Sequence, residues 1–151
     1  MKVQIDLPDK TIWYNLVSAF ESGSNYWIDS IKLDLPDGFK KAKFAGYQNK
    51  VDDWYPELYD TDDLDELREK KLYIYNSQVP FLGGSVIIEE TWREGRSHNP
   101  APLNRESLRK GIQVMHDEYR RHFDDMVNEN ADAITGDVLL QCAVFGRVIY
   151  G

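Results

Sequence analysis

Apolar residues follow three different rhythms along this chain. The run at 138–145, VLLQCAVF, is apolar on every side apart from Gln141. A helix without a polar face is normally buried on several sides. At about a dozen residues the run is well short of the ~20 that a membrane span requires. Residues 130–151 are therefore expected to supply a central buried helix on which the other elements pack. Thr135-Gly136-Asp137 is expected to open it, because Thr and Asp oxygens can accept the unpaired N–H groups of a first turn.

A second rhythm, with spacings of three and four, marks amphipathic helices. Leu108, Ile112, Met115, Tyr119, Phe123 and Met126 place one long helix over 104–128, capped by Asn104. Leu103 and Leu108 have the spacing of a hydrophobic staple. Gly111 inside that helix costs ~1 kcal/mol relative to Ala, which implies that another backbone passes close by. Ile12, Leu16, Ala19 and Phe20 form the face of an earlier helix, with Trp13 and Tyr14 off the stripe. Gly23 is expected to end it as a left-handed cap.

Strict alternation is the third rhythm and reads as β-strand. It occurs at 3–7 and within 26–35; the short apolar stretches 72–75 and 85–89 also read as strands, and 40–47 as a weak one. Pro36-Asp37-Gly38 is a turn, residues 80–84 make a hairpin-like connection, and 62–71 can form a short helix. The expected fold is α+β, one domain over 1–151. It would have an antiparallel sheet of four to five strands, one long amphipathic helix and a buried C-terminal helix.

A chain of 151 residues can bury a core of its own. Its lone Cys142 cannot close an internal disulfide and lies among apolar neighbours, as an inert thiol does. The start, MKVQIDLPDK, lacks the apolar segment of a secretion signal, so a cytoplasmic location is expected. The apolar end, Val148-Ile149-Tyr150, needs cover from its own domain or from a neighbour, and a homo-oligomer is expected.

The formal net charge of −8 is concentrated in one place. Residues 51–67 hold Asp52, Asp53, Glu57, Asp60, Asp62, Asp63, Asp65 and Glu66 with no Lys or Arg, so that window alone accounts for the whole excess. Direct nucleic-acid binding needs clustered cations and is disfavoured. Residues 51–71 read as an acidic insertion or loop, either solvated or aimed at a basic partner through Asp60, Asp62, Asp63, Asp65 and Glu66. It is not a calcium loop. Counting from Asp60, the required oxygen ligand, Gly and final Glu are replaced by Leu64, Asp65 and Lys71.

No catalytic, metal or cofactor motif stands out. His98, His116 and His122 lack ligand spacing, and Gly83-Gly84-Ser85 leads into a strand rather than a phosphate-binding helix. The best small-ligand candidate is ESGSNYW, residues 21–27. There Ser22, Ser24 and Asn25 offer short polar groups beside Tyr26 and Trp27. Such a corner can stack a ring and satisfy its polar edge, or it can be a capped turn whose rings enter the core. Arg93, Arg96 and His98 in the polar loop 91–102 could take an anion.

Three segments are similar to small phage- and prophage-encoded proteins: AFESGSNYW (19–27), GIQVMHDEYRRHFDDMV (111–127) and the terminal ENADAITGDVLLQCAVFGRVIYG (129–151). Together they cover about a third of the chain, and the acidic insertion lies outside them. The resemblance carries no activity, but it implies an accessory role of the counter-defence, immune-evasion kind. Two expectations follow, neither of them enzymatic and neither needing a cofactor or membrane. One is sequestration of a nucleotide-like immune signal by residues 22–27 with Arg93, Arg96 and His98. The other is an acidic nucleic-acid mimic that docks on a basic host defence protein.

Overall fold

The computed structural model describes residues 4–36, 75–95 and 99–151. The segments expected to form the 36–38 turn, the 40–47 strand and the 62–71 helix lie wholly or partly outside these, as do most of the 72–75 strand and the whole acidic window.

Among the described residues the chain is α+β. Helix α1 (Asp9–Ser18) runs into a π-helical turn, Ala19–Gly23. Strand β1 (Ile28–Asp34) follows, then a 3-10 helix, Asn76–Leu82, and strands β2 (Ser85–Glu90) and β3 (Ala101–Leu103). Helices α2 (Arg105–Glu118), α3 (Arg120–Val127) and α4 (Ala133–Phe145) complete it. The sheet is antiparallel, ordered β1-β2-β3, with three strands among the described residues where four to five were expected. Ile31 pairs with Ile88, Leu33 with Val86, and Val86 in turn with Leu103. Alternation along β2 buries Val86, Ile88 and Glu90 on one face.

The terminal run is the central helix. Every residue from Thr135 to Cys142 is buried, and α4 packs along α2 and against α1, α3 and β3. Two glycines set how closely the helices approach. A Cβ on Gly111 would lie 2.6 Å from the Ala143 Cα and N, and one on Gly136 would lie 2.5 Å from the Asn15 carbonyl oxygen. The glycine in α2 is thus there because α4 crosses it, as its position in the sequence implied.

Several local expectations are corrected. Residues 4–8 form no strand. Their alternation arises because Ile5 and Leu7 rest on the core, without a ladder. The turn at 24–27 delays β1 to Ile28. The long helix is two, broken at Tyr119, whose φ −129° and ψ 49° leave helical geometry. The Tyr119 hydroxyl instead accepts the Val148 N–H at 3.0 Å. The stripe survives that break: Leu108, Ile112, Met115, Phe123 and Met126 are all buried. Gly23 does not supply a left-handed cap. Its lack of a side chain matters because a Cβ there would meet the Ala133 carbonyl oxygen at 2.3 Å. Helix α4 starts before Thr135, capped by Asp132, whose Oδ1 accepts the Thr135 N–H at 2.9 Å. The 80–84 connection is the end of the 3-10 helix, closed by Gly83 at φ 86°. Trp13 is fully buried and donates its indole N–H to Ser77 Oγ at 3.1 Å.

Candidate functional site

The start of α4 one turn earlier places Asp137 inside the helix, where its side chain faces the 24–27 turn. Its carboxylate accepts four hydrogen bonds. Ser24 Oγ and Trp27 Nε1 donate to Oδ1 at 2.7 Å each. Tyr26 Oη donates to Oδ2 at 2.6 Å, and Gln141 Nε2 at 2.9 Å. A buried carboxylate is tolerated only when its lone pairs are engaged in this way.

Gln141, one turn further along the same helix face, passes the joint on to the chain end. Its Oε1 accepts the N–H groups of both Ile149 and Tyr150 at 2.8 Å. Its Nε2 also donates to the Tyr150 carbonyl at 3.1 Å. Those two backbone donors fix which way the amide points. The Tyr150 ring lies nearly parallel to Trp27, 6° between planes with centroids 5.8 Å apart, and its hydroxyl donates to the buried Glu90 carboxylate on β2. Phe145 covers Trp27 at 5.1 Å.

The sequence-derived site residues divide on this geometry. Ser24 and Trp27 are wholly buried and bound to Asp137, so neither presents a face to a ligand. Ser22 and Asn25 are exposed, with Asn25 Nδ2 returned to the Glu21 carbonyl at 3.1 Å. Tyr26 is 47% exposed although its hydroxyl end is turned inward. Desolvation of that hydroxyl, then the bond to Asp137, push its pKa up to about 12, partly offset by the hydrogen bond from Gln141 and then by the charge of Arg93. The phenol is therefore a proton donor throughout the physiological range. Arg93 sits at the same place, its guanidinium 5.0 Å from the Tyr150 ring centroid. Arg96 and His98 lie outside the described residues, as do Asp60, Asp62, Asp63, Asp65 and Glu66.

Asp137, Gln141, Glu90 and Tyr150 were missed as members of this cluster. The available signal was the i, i+4 pair of polar residues, Asp137 and Gln141, in an otherwise apolar stretch. Cys142 is no nucleophile, since burial and then the charge of Glu118 push its thiol up to about 12. No group of three metal-ligating side chains occurs among the described residues, and no described helix is long and apolar enough to cross a membrane. Comparisons with protein-family models, curated proteins and solved structures find no match to this chain.

Proposed function

We propose that this is a non-catalytic binding protein of the phage accessory, counter-defence kind, holding a nucleotide-like anion against Tyr26 and Arg93. The observation that supports this is that both side chains lie by the Tyr150 corner of the joint, within electrostatic reach of each other. The loop after β2 and the turn after α1 are far apart in sequence, yet Arg93 lies on Tyr150 and its charge reaches the Tyr26 phenol. An exposed ring beside a guanidinium offers stacking to a base and paired hydrogen bonds to a phosphate. Ser22 and Asn25 add exposed polar groups at the rim. The role of Trp27 differs from a stacking platform: it is the rigid wall behind the patch.

Calorimetry against a panel of cyclic and ADP-ribose-type nucleotides tests this reading. One paired hydrogen-bonded contact to a charged group contributes about 1.5–3 kcal/mol. Arg93→Ala should therefore weaken binding roughly tenfold or more. No heat with any nucleotide would remove the sequestration reading. The concentration of negative charge at 51–67 favours a second one, an inhibitor docked on a basic host surface. Neutralising Asp60, Asp62, Asp63, Asp65 and Glu66 would abolish the effect on the host in that case and leave nucleotide binding unchanged in the first.

A further inference from the structure

A cleft of about 510 Å³ opens where the residues before α1 meet the first two turns of α2. Its floor is apolar: Ile12, Leu108 and Ile112 line it and are buried. Ile5, Leu7 and Phe81 line it as well and are half-buried. The volume falls in the range of small-molecule sites, about 300–1,000 Å³.

Five charged side chains border this floor, and three of them are engaged. The Arg105 guanidinium forks onto the Asp9 carboxylate at 3.1 and 2.9 Å, which ties the two segments together. Glu106 pairs with Lys110, one turn further along α2, at 3.5 Å. Asp6 and Arg109 are left. Both are exposed, and neither makes an ion pair or a side-chain hydrogen bond among the described residues. The cleft therefore offers one unengaged carboxylate from the segment before α1 and one unengaged guanidinium from α2, with an apolar floor between the two segments.

That combination discriminates by charge. A simple anion would meet Arg109 but also the like charge of Asp6, and a simple cation would meet the reverse. Only a molecule that carries both charges on an apolar body satisfies both groups and covers the floor. We infer that this cleft binds a short apolar peptide with free ends, its ammonium at Asp6, its carboxylate at Arg109 and its side chains on Ile12, Leu108 and Ile112. The site is separate from the Tyr26 and Arg93 patch and does not depend on it.

Leu-Leu, its N-acetylated form and its C-terminal amide share one apolar body and differ in charge, so they test this directly. In calorimetry at low salt Leu-Leu should bind best. Each blocked form should be about three- to fivefold weaker, the scale of one exposed ion pair. Gly-Gly has the same charges without the apolar side chains, and should bind at least tenfold more weakly than Leu-Leu. Two variants assign the ends. Arg109→Gln should weaken Leu-Leu to the level of its amide and leave the amide's affinity unchanged. Asp6→Asn should do the same for the N-acetylated form. Neither change should shift the melting temperature, because both side chains are exposed and unengaged. Arg93→Ala should leave all four affinities unchanged. Equal binding of Leu-Leu and its two blocked forms, or no binding of any of them, would overturn the inference. So would variants that weaken all three forms alike, since neither charge would then read a peptide end.

Discussion

Asp137→Ala should destabilise the protein by about 3–5 kcal/mol, the range for breaking a buried polar network by removal of one partner. Four donors lose their acceptor at once: the Ser24 hydroxyl, the Trp27 indole, the Tyr26 phenol and the Gln141 amide. Ser24 and Trp27 are wholly buried, so water cannot replace what they lose, and each costs about 1–3 kcal/mol when left unpaired. Gln141 keeps its bond to the Tyr150 carbonyl and contributes less. Tyr26 can turn to solvent and contributes less. Asp137→Asn should cost less than Ala but remain clearly measurable, for a geometric reason. Turned one way, its amide nitrogen would face the Trp27 indole N–H, which can only donate. Turned the other way, it would face the Gln141 Nε2, and Gln141 cannot flip without abandoning the two backbone N–H groups that its Oε1 accepts. Urea titration of both variants gives the values. A loss below about 1 kcal/mol for Asp137→Ala, less than a single unpaired buried donor costs, would show that the cluster does not hold the fold together.

Leu140→Ala should cost about 2–5 kcal/mol, the usual range for deleting a fully buried leucine side chain. Leu140 is wholly buried on a helix whose neighbours are also inside, so the cavity has little room to collapse. Close approach at Gly111 and Gly136 limits it further, because backbone rather than side chain stands at those crossings. A loss below about 0.5 kcal/mol in a denaturant titration, which is typical of surface substitutions, would contradict the placement of α4 at the centre.

These two helix positions also show what was legible in the sequence. Leu140 was readable because burial on all sides leaves an apolar run with no polar face. Gly111 was readable because an unfavourable residue inside a good helix implies a reason in packing. Asp137 was not, since it has two equally good local roles, capping a first turn or sitting within it. The expected helix start was Thr135-Gly136-Asp137, whereas Asp132, which lies outside that triplet, caps α4. The corner at 21–27 was found, but its two readings differ only in which way the Trp27 ring turns, and a partner 110 residues away determines that. Local pattern carries no information about so distant an acceptor. The Tyr119 break was hidden for a similar reason. The apolar stripe continues across it, while the bond that accompanies it goes to Val148.

The central claim is that the polar residues of the 24–27 turn, with Asp137 and Gln141, form a joint that fastens the chain's last residues to the core. Terminal residues exchange their amide hydrogens quickly unless they are tied down. Hydrogen exchange of the Ile149 and Tyr150 amides and the Trp27 indole N–H, followed by NMR, therefore tests the joint directly. All three should be protected to nearly the global stability and should lose protection together in Asp137→Ala. Exchange of Ile149 and Tyr150 at the rate of a frayed terminus, with the Trp27 indole equally fast, would contradict the joint and reopen the corner as a ligand site.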